Sequence, residues 1–172
     1  MHAAIKEQIM SNSHPIGVFD SGVGGLTVAR EILANLPEEK IVYFGDTARV
    51  PYGNKSQETI IRYSRQIVRF LMSQGVKAIT VACNTASALA LETIRNEIDI
   101  PIIGVVEPGA VAAVKTTINH KIGVIGTSGT VSSGLYEKYI HQIDPKAKVF
   151  SRACPLFVHL VEEGMIDDPV TI

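Results

Sequence analysis

Short runs rich in Val and Ile alternate along the chain with segments of helical periodicity. The runs at 16–20, 41–46, 77–82, 100–106, 121–126 and 147–151 are nearly continuous. That is the pattern of strands buried on both faces of a sheet. Between them, Leu26, Ala29, Ile32, Leu33 and Leu36 share one stripe, as do Ile60, Ile67, Val68 and Leu71 in a longer segment, 56–73. Further helices are expected at 85–96, 109–118, 131–143 and 155–163, with ends marked at 35–37, at Gln74-Gly75 and at Gly164. Regular strand–helix alternation predicts an α/β fold of parallel βα units.

A domain boundary is expected near 99–101, separating a first α/β domain, 16–99, from a second, 100–172. Residues 1–15 are expected to form a flexible leader, with Met10 as an alternative start. Lys6, Glu7 and Gln8 interrupt any apolar stretch of a signal peptide there. No segment approaches the roughly 18 apolar residues of a membrane span. The cytoplasm is therefore the default compartment.

Charge narrows the partners. Sixteen basic against seventeen acidic side chains leave a formal net charge of −1, with no basic excess to favour nucleic acid or an anionic membrane surface. Two cysteines, Cys83 and Cys154, are too few for a disulfide scaffold among 172 residues. His2, His14, His120, His141 and His159 lack the spacing of a metal set, so no metal is expected.

Ligands of parallel α/β sheets bind beyond the carboxyl ends of the strands. Small and polar residues recur there. The first strand is followed by Asp20-Ser21-Gly22-Val23-Gly24-Gly25, the second by Gly45-Asp46-Thr47-Ala48-Arg49-Val50-Pro51-Tyr52-Gly53, and the third by Cys83-Asn84-Thr85. Glu107-Pro108 and Thr127-Ser128-Gly129-Thr130 follow the fourth and fifth. The glycine-rich loop lacks the Gly-Lys-Ser/Thr of a phosphate loop and the spacing of a dinucleotide fingerprint. Its glycines serve a tight turn and close helix–strand packing, or a helix N-terminus that offers N–H groups to a carboxylate. Cys83, between a buried strand and a helix, is expected to have a lowered thiol pKa and a chemical role; the bland alternative is a small core residue. Cys154, in an apolar setting, reads as structural. Asp20 is favoured as a functional carboxylate, whereas Asp46 divides evenly between function and a turn or cap.

Taken in order, Phe19-Asp20-Ser21-Gly22-Val23-Gly24-Gly25-Leu26-Thr27-Val28, the 45–53 segment, Ala82-Cys83-Asn84-Thr85-Ala86-Ser87, Glu107-Pro108-Gly109 and Gly126-Thr127-Ser128-Gly129-Thr130 resemble the glutamate racemases of the aspartate/glutamate racemase family. The resemblance implies two facing α/β domains with glutamate between them, and one cysteine on each side of its α-carbon. It also implies a reaction without pyridoxal phosphate or metal, whose product, D-glutamate, feeds peptidoglycan synthesis. Cys83 matches the cysteine acting on the D-enantiomer, with Asp20 beside it as a catalytic carboxylate. Asp20-Ser21, Tyr52-Gly53 and Asn84-Thr85 match substrate-contacting pairs. Thr127 and Thr130 match residues that help to hold a carboxylate, and Glu162 matches a glutamate that assists the second cysteine.

The family's second cysteine lies in a Cys-Thr-His motif, and no such triplet occurs in these 172 residues. Cys154 does not replace it, because the family carries Ala-Cys-Pro at that point as well. The expectation is a racemase fold lacking its closing C-terminal part, with both domains incomplete and little racemisation by this chain alone. Two other readings remain: a cysteine amidohydrolase, which needs a histidine beside Cys83, and a non-catalytic glutamate-binding module. Homo-oligomerisation is left open.

Overall fold

The computed structural model describes residues 13–165, 167–169 and 171. Most of the leader expected at 1–15, Met10 included, lies outside the described residues.

The chain runs β1 (Ile16–Asp20), α1 (Leu26–Asn35), β2 (Ile41–Gly45), a 3-10 turn (Thr47–Arg49), α2 (Gln57–Ser73), β3 (Ala78–Val81), α3 (Asn84–Leu89), α4 (Leu91–Arg95) and β4 (Ile102–Gly104). It continues through α5 (Val106–Thr116), β5 (Lys121–Gly126), α6 (Ser128–Ser132), α7 (Leu135–Ile143), β6 (Lys148–Ala153) and α8 (Phe157–Glu162). The first sheet has the order β2-β1-β3-β4, and β5 pairs with β6 in a second. All pairings are parallel, with Asp20 opposite Gly45, Val81 opposite Gly104 and Gly126 opposite Ala153. The register brings the carboxyl ends of the strands in each sheet to one edge.

The boundary expected near 99–101 falls inside the first sheet. β4 follows it and pairs with β3, Ile79 meeting Ile102. The sheets divide instead between β4 and β5, and α5 carries the chain across. Charge and composition do not change at that point, so the sequence offers no mark of it.

Each face of the first sheet has its own core. On one, Phe19, Ile79 and Val81 pack with Ile60, Ile67, Val68 and Leu71 of α2. On the other, Ile16 and Val18 meet Ala29 of α1 and Ala82. The buried positions of α2 follow a helical stripe, Ile60, Ser64, Ile67, Val68 and Leu71. Ser56 caps that helix by accepting the Thr59 N–H at 3.3 Å. Gly75, with φ of +70°, closes it. Ala110, Ile122, Val124, Ile140 and Ala147 make the smaller second core. The expectation of strands buried on both faces holds for β1 and β3, whose residues are all buried. It fails for β5, where buried and exposed positions alternate, and for β6, which is mostly exposed. Their second face bears Ile125 and Phe150, 65% and 62% exposed.

Two expected helices are each broken in two. The one predicted at 85–96 bends at Ala90, where φ is −122°. The one at 131–143 is interrupted at Gly134, with φ of +64°, a conformation glycine adopts freely. No helix among the described residues is long and apolar enough to cross a membrane.

Candidate active site

The loop after β1 is built around Asp20. This side chain is buried, and its Oδ2 accepts the Gly22 N–H at 3.2 Å and the Gly25 N–H at 2.9 Å. The N–H groups available to a carboxylate here therefore serve the protein's own aspartate. Oδ1 has no hydrogen-bond partner among the described residues. Gly25 is needed for proximity: a Cβ on it would lie 2.5 Å from the Asp20 Cβ and 2.9 Å from the Ala82 Cβ. Helix α1 thus begins directly against β1 and β3.

Cys83 follows β3 and caps α3, its Sγ accepting the Ala86 N–H at 3.4 Å. Its thiol donates to Ser21 Oγ at 3.4 Å. The position between strand and helix predicts a pKa below the ordinary thiol value; the structure places it above. Complete burial raises it first, and the Asp20 charge raises it further. Once the thiol ionises, hydrogen bonds that Ser21 and the Ala86 N–H donate to it act in the opposite direction without prevailing. Helix α3 is too short, and the site too dry, for the helix end to dominate.

The 45–53 segment forms a network behind the site. Asp46 is buried and accepts from Arg49 Nε at 2.9 Å and from the Tyr52 hydroxyl. Arg49 continues to Gln66 Oε1 at 2.5 Å and lies 4.2 Å from the centre of the Tyr63 ring. Asp46 is thus consumed by protein partners, which decides its reading in favour of a structural carboxylate. Tyr52 is 2% exposed, with its phenol turned inward onto Asp46, and the Tyr52 and Gly53 carbonyls accept the Lys55 and Gly129 N–H groups. Burial and the Asp46 hydrogen bond hold that phenol far above its ordinary pKa.

The second unit approaches at four places. Gly53 accepts the Gly129 N–H at 2.9 Å, and a Cβ on Gly53 would lie 2.4 Å from that of Thr127. The Thr85 hydroxyl lies 2.9 Å from that of Thr127 and 3.3 Å from that of Thr130, joining the starts of α3 and α6. The Tyr136 hydroxyl donates to Asn84 Oδ1 at 2.7 Å. From α8, Glu162 reaches the glycine loop, where a Cβ on Gly22 would sit 2.5 Å from its Oε1. Tyr43, whose hydroxyl donates to the Gly22 carbonyl at 3.2 Å, registers this crowding. Burial, then the charges of Asp20, Cys83 and Glu162, push its pKa to about 12.

Asp20, Ser21, Tyr52, Gly53, Cys83, Asn84, Thr85, Thr127, Thr130 and Glu162 are therefore all brought to one seam between the two units. Sequence reasoning missed Tyr43 and Tyr136. Tyr43 lies inside an apolar strand run and Tyr136 four residues before the buried Ile140, so both read as core. Cys154 is a free thiol, as is Cys83. It is partly exposed at the end of β6, in a cleft of about 370 Å³ that also borders Asn84, Thr127 and Thr130. No histidine hydrogen-bonds Cys83 among the described residues: His14 meets the Gly75 carbonyl, His120 meets Asp144 and His141 meets the Ala147 carbonyl.

Residues 16–167 match the family described as Asp/Glu/Hydantoin racemase. A glutamate racemase of Geobacter metallireducens is 56% identical over 155 residues, covering 90% of this chain and 57% of that protein. That of Persephonella marina is 58% identical over 158 residues, covering 91% and 60%. Among solved structures, a glutamate racemase isoform of Bacillus anthracis superposes with a TM-score of 0.88 at 49% identity, covering 92% of this chain and 59% of that one. The glutamate racemase of Francisella tularensis in complex with D-glutamate gives 0.84 at 43% identity, covering 92% and 59%. The chain spans about 60% of the length of these relatives.

Proposed function

The chain belongs to the Asp/Glu/Hydantoin racemase family, and on that premise we propose that its seam binds glutamate and that Cys83 is one of two thiols interconverting the L- and D-enantiomers. The D-glutamate so formed supplies peptidoglycan synthesis in the cytoplasm. The observation that carries this reading is Cys83 itself. It is a buried thiol at a strand's carboxyl end, hydrogen-bonded to Ser21, under the charge of Asp20 and two residues before Thr85, which meets the Thr127 hydroxyl of the second unit.

The α-proton of an amino acid is a very weak acid, so its removal needs a strong base in a dry site and stabilisation of the carbanion. Burial and Asp20 make Cys83 a stronger base once ionised and keep it protonated at neutral pH. Resting Cys83 is therefore the acid that delivers its Sγ proton to one face of the carbanion, giving D-glutamate. In the reverse direction its thiolate takes the α-proton of D-glutamate, and the Cα–H electron pair stays on carbon. Thr85, Thr127 and Thr130 hydroxyls and the Gly53 N–H bind the substrate's carboxylates, where negative charge develops. Asp20 Oδ1 meets the ammonium.

The opposite face needs a second thiol. The family's Cys-Thr-His triplet is not present in these 172 residues, so this polypeptide alone exchanges the α-proton of D-glutamate without inverting it. The amidohydrolase reading loses ground because it requires a histidine at Cys83. Titrating D-glutamate into the ¹⁵N-labelled chain tests binding. Saturable shifts at Ser21, Gly53, Asn84 and Thr127, retained in Cys83→Ser, are expected. An unchanged spectrum, or shifts confined to other residues, would contradict the assignment.

A further inference from the structure

Tyr136 lies on α7, outside every motif that marks the site, yet it is tied to the site across the seam. Its hydroxyl donates to Asn84 Oδ1 at 2.7 Å, over a sequence separation of 52 residues. The ring is half-buried and seated on α5: a Cβ on Gly109 would lie 3.0 Å from its Oη and 3.1 Å from its Cε1. A side chain at that position would push the hydroxyl out of place. This accounts for a glycine inside α5, where helix propensity argues against one. Asn84 Oδ1 is the only acceptor that the Tyr136 O–H reaches among the described residues, and a phenol O–H removed from water seeks an acceptor.

We propose that Tyr136 is a positioning residue that holds the Asn84 side chain in place across the seam, with Oδ1 on the phenol and Nδ2 left to donate to a ligand. An asparagine side chain is ambivalent, with one acceptor and two donors interchanged by a half-turn. Asn84 is exposed next to the buried Cys83, and without a restraint its side chain would be free to swing. With Oδ1 engaged, Nδ2 and its two protons remain. Two free N–H donors suit a carboxylate, so the lock adds to the selection of which end of an amino acid sits at Asn84. Burial raises the Tyr136 pKa, which keeps the phenol protonated and the donation intact above neutral pH. The lock spans both units, so it forms only when they are seated together, coupling the donor's orientation to closure of the seam. For its ligand, this inference rests on the glutamate reading above.

The test is a double-mutant cycle in the full chain, with D-glutamate as the probe and affinity read by ¹⁵N NMR titration. Tyr136→Phe keeps the ring on Gly109 and removes only the hydroxyl. It is expected to weaken D-glutamate binding about tenfold, the scale of one hydrogen bond to a charged group. Asn84→Ala weakens it as well, and adding Tyr136→Phe to Asn84→Ala is expected to change affinity less than twofold. An unaltered affinity in Tyr136→Phe overturns the proposal. So does a loss of the same size in the Asn84→Ala background, which would make Tyr136 a general support of the seam. If the unmodified chain does not bind D-glutamate, the glutamate reading fails, and the lock is then decided without ligand. Movement of the Asn84 Nδ2 resonances in Tyr136→Phe, with the remaining spectrum in place, upholds it; unmoved resonances overturn it.

Discussion

Cys83 sits where β3 hands over to α3, a place at which helix N–H groups are expected to favour a thiolate, yet its thiol is raised by burial and by Asp20. The consequence for stability has a definite sign. Below the ordinary thiol value, about 8.5, Cys83 is protonated both folded and unfolded. As pH rises above it, the unfolded chain ionises first, and stability is lost until the folded thiol ionises too. Urea midpoints of the wild-type chain are therefore expected to fall more between pH 8 and about 10 than those of Cys83→Ser; parallel declines would contradict the assignment. Tyr52 makes a second case. Removing its hydroxyl leaves buried Asp46 short of a donor, so Tyr52→Phe is expected to cost about 1–3 kcal/mol in urea unfolding. Residue types and their order along the chain are enough to single out Cys83, Asp20 and the threonines. The direction of the thiol's shift is hidden from them, because it depends on how completely the second unit and the glycine loop exclude water.

The strands and the long α2 helix follow the hydrophobic periodicity closely, and Ser56 and Gly75 terminate α2 as their chemistry requires. Legibility ends where packing overrides propensity. The break at Ala90 has no glycine or proline to announce it, and the edge positions of β4 and β5 depend on which strand lies alongside. Ser64 illustrates what a period conceals. It occupies a core position of α2, and its buried hydroxyl has no hydrogen-bond partner among the described residues. Ser64→Ala removes that unsatisfied group, so it is expected to be neutral or to stabilise the fold by about 1 kcal/mol, measured as a shift of the urea midpoint. Leu71→Ala, at the last buried position of the same stripe, is expected to destabilise by about 2–5 kcal/mol through lost burial and the cavity it leaves.

At the scale of the whole molecule, two units meet along one seam, and the candidate site residues gather at it. Gly53 is the tightest point of that approach. Gly53→Ala drives a Cβ to 2.4 Å from the Thr127 Cβ, so the units must separate. The expected result is weaker D-glutamate binding with a smaller change in the urea midpoint, because neither core is touched. The pairing of β4 with the first sheet, and the exposed second face of β5–β6, could not be read from the chain, since both depend on spatial neighbours. The family relation and the motif order were legible. The most direct test of the central claim is exchange of the α-proton of D-glutamate in deuterium oxide, followed by NMR alongside the enantiomer ratio, with Cys83→Ser as the control. Cys83 acting as a single base predicts exchange with D-glutamate, faster as pH rises above the ordinary thiol value, without inversion and abolished in Cys83→Ser. Binding of D-glutamate with no exchange at any pH would contradict it and leave the seam a binding site only.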